Sequence, residues 1–268
     1  TVYLRDLFSQ DYYDRFGERT YRPVVSFSFF IDHWLWNRQP AGCHAFNMAL
    51  HALPSAAVLA LLMRMGIGAG AAFFGALVFA VHPVKTEAVA LASNREELLA
   101  ALFFFTAYGL YLQNGTDTRT VSREGGGKPR PCEKQWTGVR VLSWLSFLLA
   151  VFSKEMAASL PIVLAAHDFY FRDRSQPFYR VFLNRLPHYL PYAFIAALPL
   201  LLKNFLLHNP AGAASPPGDT FFQSLSIMSM AFMKYAGLLL YPVRLCTDYV
   251  INDPQNLAAV TGLFLFIV

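Results

Sequence analysis

Charge is scarce in this chain. Lys, Arg, Asp and Glu make up 15% of its 268 residues, where soluble domains carry about 25%. An ordinary water-facing surface cannot be furnished from so little. Cysteine is scarcer still. Cys43, Cys132 and Cys246 lie far apart and match no metal-ligand spacing, and an odd number leaves one outside any disulfide scheme. They read as ordinary residues, and no metal set is evident. Also lacking are a glycine-rich phosphate loop, a heptad run and self-similarity at a ~34-residue period, which excludes a nucleotide enzyme or a soluble repeat array within these residues. No cleavable signal is visible.

What is present is apolar: 55% hydrophobic residues, 16% of the chain aromatic. They come in blocks rather than in a helical stripe, the pattern of membrane spans. With about 1.5 Å rise per residue and a hydrocarbon core about 30 Å thick, the blocks predict an all-α, polytopic membrane helix bundle. The candidate spans are 45–63, 66–81, 98–113, 139–153, 156–171, 187–207 and 221–241, with 257–268 beginning another. That gives seven to eight spans. The chain opens in a polar stretch and stops inside GLFLFIV, so further spans are expected beyond both ends.

The loops alternate in charge. The segment 114–138 carries Arg119, Arg123, Lys128, Arg130 and Lys134, with Arg140 just beyond, and 172–186 carries Arg172, Arg174, Arg180 and Arg185. The loop 208–220, HNPAGAASPPGDT, has no Lys or Arg. Positive charge stays on the cytosolic side, which places 114–138, 172–186 and Arg64 there. Residues 1–44, 82–97, 153–156 and 208–220 then face the opposite side. The net charge of +5 therefore reads as an orientation signal, and nucleic acid is not an expected partner. Asn114-Gly115-Thr116 is a glycosylation sequon that this topology leaves unused in the cytosol. GGGKPRPCEKQ reads as a flexible, solvated linker.

The polar residues that resist a simple loop reading gather on the non-cytosolic side. In HPVKTEAVALASNREELL, His82-Pro83 closes one span, and Pro83 suits the first position of a new helix. Glu87 and Asn94, seven apart, would share one face of that helix, with Arg95, Glu96 and Glu97 at the mouth of the next span. Interfacial anchoring by snorkelling side chains and a functional rim are both open readings here. Ser153-Lys154-Glu155 is the whole turn between two apolar runs, which holds Lys154 and Glu155 near the hydrocarbon boundary. Charges so placed are either paired or functional. The segment 1–44 mixes Asp6, Asp11 and Asp14 with Arg5, Arg15, Arg19 and Arg22, and its PVVSFSFFIDHWLW stretch suits a helix lying in the interface. It reads as a lid or substrate platform, or as a cover for the bundle. YPVRLCTDYVINDP carries Asp248 into a polar loop, whose side depends on whether 221–241 crosses or re-enters.

Four blocks occur in order: YRPVVSFSF with CHAFNMALHAL, FAVHPVKTEAVA with NREELLAALFFF, FSKEMAASLPIVLAAHDF, and LLLYPVRLCTDY. This series resembles the transmembrane and tetratricopeptide-repeat O-mannosyltransferases of the endoplasmic reticulum and similar multi-span glycosyltransferases. The resemblance implies a GT-C type bundle in the endoplasmic reticulum membrane, with 1–44 a luminal loop carrying an interfacial helix and 45–268 the transmembrane bundle. It implies tetratricopeptide repeats downstream and a lipid-linked donor, dolichyl-phosphate mannose, used as substrate without a cofactor. The acceptors would be Ser and Thr hydroxyls of luminal proteins. The family's acidic pair after its first span would lie upstream of Thr1, while Asp11 matches a later acid of that loop. Lys85 stands where His is frequent in the family.

Such a transferase needs a carboxylate to take the acceptor's proton, cations for a phosphate whose charge grows in the transition state, and an apolar groove for the prenyl chain. On this reading Arg22, Arg95 and Lys154 cradle the donor phosphate. Asp11, Glu87 and Glu96 are the catalytic candidates, Asp11 and Glu87 positioning acceptor or sugar, and His82, Glu155 and Asp248 support them. Metal independence is expected. A transporter would need charges near the midplane and paired broken helices, and a noncatalytic membrane scaffold is the other alternative.

Overall fold

The computed structural model describes residues 21–37, 39–120, 136–171, 177–205, 221–243 and 245. The described chain is helical, with no strand among these residues. It divides into two compact units, one formed by 1–81 with 88–209 and the other by 82–87 with 210–268.

The first unit opens with α1, Pro23–Trp36, and α2, Pro40–Arg64. Each has proline in its first turn, where a missing N–H costs nothing. Asn37 ends α1 in the left-handed region, φ 47°, with its N–H on the His33 carbonyl. The end of α2 is a Schellman turn: Gly66 at φ 88° donates to Met63 O, and Ile67 donates to Leu62 O. Glycine takes that φ without a Cβ penalty. Then come α3, Ala69–Val81; the short α4, Thr86–Ala90; α5, Arg95–Thr120; α6, Trp136–Ser153; α7, Leu160–Tyr170; and α8, Phe178–Phe205. In the second unit a 3₁₀ turn at Pro83–Lys85 leads into α4, and α9 is Phe221–Leu240.

The single helix expected through 84–93 is broken. Leu91 is extended (φ −92°, ψ 122°) between α4 and a 3₁₀ turn at Ala92–Asn94, so Glu87 and Asn94 do not share a helical face. The reason lies on α2: the Asn47 amide donates to the carbonyls of Val89 (3.3 Å) and Leu91 (3.2 Å), taking up groups that a continuous helix would bond internally.

Helices occupy every expected block within the described residues, while 257–268 lies outside them. By length and polarity, the helices that qualify as full spans by themselves are fewer than the apolar blocks. Among the described residues only Pro40–Arg64, about 37 Å long at ~1.5 Å per residue, is by itself long and apolar enough to cross a bilayer, and Ala69–Val81 reaches that length only together with Pro83–Ala90. The sequence reading counted apolar runs. In the structure, α5 starts on Arg95-Glu96-Glu97 and α8 includes Arg180 and Arg185. The block 156–171 splits into a 3₁₀ turn, Glu155–Ser159, and the 11-residue α7.

The main core of the first unit joins α2, α5, α6, α7 and α8 through Leu61, Ala107, Phe147, Leu160, Leu164 and Tyr192. Polar ties stitch the same helices. Ser143 Oγ lies 2.7 Å from both the Ala107 carbonyl and the Tyr192 hydroxyl, and Asp168 accepts from Tyr111 (2.6 Å) and Tyr189 (2.7 Å). A smaller core, Val25, Leu50, Leu98 and Leu99, seats α1 against α2 and α5. Trp34 and Trp36 of α1 stay exposed.

Candidate functional site

Three helix ends of the first unit meet at one rim. Arg22 directly precedes α1, Glu96 and Glu97 fill the first turn of α5, and Lys154-Glu155 forms the link after α6. Acids in a first helical turn also meet the positive end of the helix dipole. The side chains converge on Glu96. One carboxylate oxygen pairs with Arg22 and the other lies 3.3 Å from Lys154 Nζ. Arg22 reaches Glu155 at 3.2 Å, and Lys154 pairs with Glu97. Each cation therefore holds two carboxylates.

The partners differ in depth. Arg22, Lys154 and Glu96 expose 18–19% of their side chains, whereas Glu155 and Glu97 expose 48% and 50%. Burial works against the Arg22 charge, but Glu96 and Glu155 outweigh it and hold its proton more tightly than in an ordinary arginine. The two outer carboxylates are screened by water and are the weakly held members. The rim thus presents two cations that share one carboxylate between them, each with a second, more exposed carboxylate on its outer side.

Arg95 is not at the rim. It is fully buried and pairs with Asp32 at 2.6 Å, close in distance though not aligned as a hydrogen bond. Its Nε donates to Asn47 Oδ1 at 2.8 Å, another nitrogen approaches Ser28 Oγ at 3.4 Å, and the guanidinium lies 4.9 Å from the ring centres of both Phe29 and Phe46. The expectation that it cradles a phosphate with Arg22 and Lys154 is corrected: in sequence an inward arginine at a span mouth looks the same as an outward one, and here the protein's own carboxylate has claimed it.

His82 and Glu87 belong to the second unit. His82 caps the Pro83–Lys85 turn by accepting from Val84 N–H (3.3 Å), which leaves Nε2 to donate to the Leu239 carbonyl at 3.0 Å. Glu87 is exposed in the first turn of α4. Asp11 and Asp248 lie outside the described residues. The sequence reading missed Asp32 and Asn47. The signal was there, as one acid inside the aromatic run FSFFIDHWLW and one amide inside CHAFNMALHAL, since an isolated polar side chain in an apolar helix needs a partner. Cys43 is a free thiol.

Over 92% of its length the chain is 26% identical to a protein O-mannosyl-transferase of Caenorhabditis elegans and 27% identical to protein O-mannosyl-transferase TMTC4 of Mus musculus. Over 41% of its length it is 34% identical to protein O-mannosyl-transferase TMTC1 of Mus musculus. The matches cover 33%, 38% and 12% of those proteins, so the chain spans about a third of the length of the relatives it matches most fully. No family model matches. No solved structure matches. Along almost the whole chain, then, the curated relatives it resembles are protein O-mannosyl-transferases, at 26–27% identity.

Proposed function

We propose that this chain is part of the membrane portion of a protein O-mannosyltransferase, and that it moves mannose from dolichyl-phosphate mannose to Ser and Thr hydroxyls on the luminal side of the endoplasmic reticulum membrane. The names of its relatives support the reaction class. The observation that carries the site is the pair of cations, Arg22 and Lys154, with half-exposed outer carboxylates around one shared acid.

The reaction requires the acceptor oxygen to bond to C1 of mannose while the C1–O bond to phosphate breaks. The acceptor proton goes to a carboxylate, and the bonding pair leaves with dolichyl phosphate. A phosphodiester with one negative charge becomes a monoester carrying nearly two, so cations fixed beside it stabilise the transition state more than the ground state. In this reading the donor phosphate displaces Glu155 and Glu97 from Arg22 and Lys154. Glu96 stays between the cations and orients the sugar or receives the proton. Asp11, outside the described residues, remains a candidate for positioning acceptor or sugar. The apolar helices form a multi-span, GT-C type bundle in which the prenyl chain lies, with tetratricopeptide repeats following.

One observation favours a second reading. Each rim cation already holds two carboxylates of its own chain, as a noncatalytic membrane scaffold would have it.

The deciding experiment is mannose transfer by the full-length protein in membranes supplied with dolichyl-phosphate mannose, comparing wild type with Lys154→Ala and Glu96→Gln at matched expression. The transferase reading expects activity in the wild type and a loss of roughly 100-fold in each variant, the usual scale for removing one transition-state contact. Wild-type rates in both variants would reject the site, and an inactive wild type would leave the scaffold.

A further inference from the structure

Arg95 is followed in the chain by the two acids of the rim, yet its own side chain points into the protein and is gripped in every direction. Asp32 and Asn47 hold its edges, at 2.6 Å and 2.8 Å, and Phe29 and Phe46 lie 4.9 Å away over its faces. A planar guanidinium held so cannot turn without breaking several contacts at once. The grip extends to the backbone, because Asn47 also donates to the carbonyls of Val89 and Leu91. It thereby fixes the extended residue from which the 3₁₀ turn and then α5 begin. Position 95 is pinned from its side chain and from the approach to it.

This matters for the next two residues. Glu96 and Glu97 stand in the first turn of α5, and their carboxylates lie roughly 6 Å from the helix axis. A 20° rotation of that turn would move them by about 2 Å, where ~1 Å is enough to spoil a reacting geometry.

We propose that Asp32 and Asn47 are positioning residues: by locking Arg95 they set the rotation and height of the first turn of α5, and so hold Glu96 and Glu97 against Lys154 and Arg22. The consequence for turnover rests on the rim being the site of transfer, but the geometric claim does not.

The test separates the two. In full-length protein with Cys43, Cys132 and Cys246 changed to Ser, paired cysteines at 96 and 154 are linked in membranes with a short bismaleimide. A second pair at 108 and 167, which lie together on α5 and α7, is the control. Asn47→Ala, and separately Arg95→Lys, which keeps the charge but loses the fork, are expected to slow 96–154 linking at least threefold and leave 108–167 linking unchanged. Without the cysteine pairs, the same two variants are expected to lower mannose transfer about tenfold, chiefly through a raised KM for dolichyl-phosphate mannose. Unchanged 96–154 linking overturns the proposal, and so does an equal loss at both pairs, which would mean a general role in folding. If linking responds as expected while Glu96→Gln transfers mannose at the wild-type rate, the positioning stands and the reading of the rim as the transfer site fails.

Discussion

Removing one member of the Asp32–Arg95 pair should cost far more than removing both. Both side chains are buried, at 3% and 0% exposure, and 2.6 Å apart. Deleting one partner of such a pair leaves an uncompensated charge and costs about 3–5 kcal/mol. The two single changes are not equivalent. After Asp32→Leu the guanidinium keeps Asn47, Ser28 and two aromatic faces, and a desolvated cation–π contact offsets up to about 2 kcal/mol, which puts this variant near ~3 kcal/mol. Arg95→Met strips Asp32 of its counter-charge and belongs near ~5 kcal/mol. The double change Asp32→Leu with Arg95→Met fills the space with apolar groups, and replacing a buried pair this way is often neutral or stabilising, so it should fall below either single variant. Denaturant-detergent unfolding of the purified protein in mixed micelles, followed by circular dichroism, gives all three values. A double variant that loses the sum of the two single losses would refute the reasoning, because additivity means the charges do not interact.

Gly66→Ala should destabilise by about 1–2 kcal/mol through backbone strain alone, since φ is 88° and an added Cβ meets nothing within 4 Å; the same unfolding assay reads it. Asp168→Asn should cost about 1–3 kcal/mol, because the bonds from Tyr111 and Tyr189 and the 3.4 Å contact with Arg185 lose their charge. It should leave mannose transfer within a few-fold, since Tyr111 stands about 22 Å along α5 from Glu96. Lys154→Ala should lower the unfolding free energy by less than ~1 kcal/mol, its partners being partly hydrated, while activity is lost; a large stability loss would make Lys154 a structural residue. Expressed in the endoplasmic reticulum, Asn114 should carry no glycan and a sequon engineered into 208–220 should carry one, read by a mobility shift on glycosidase treatment; the reverse pattern inverts the topology.

The sequence by itself determined the helices and much of their punctuation. Apolar blocks too long for strands leave the backbone little choice but to bond internally. Pro23 and Pro40 begin helices, and Gly66 ends one, for reasons local to each residue. Of the short stretches it singled out, Arg22, Glu96 and Lys154-Glu155 meet. Only the tertiary structure decided which cation faces outward. Arg22, Arg95 and Lys154 look alike as cations at the edge of apolar runs, and no local rule separates them. Arg95 turns inward because Asp32 and Asn47, far away in sequence, stand where α1 and α2 cross the start of α5, and Asn47 breaks the helix before it by taking two of its carbonyls. A buried charge needs its partner in place, and that partner is supplied by packing over distances that periodicity and spacing do not encode.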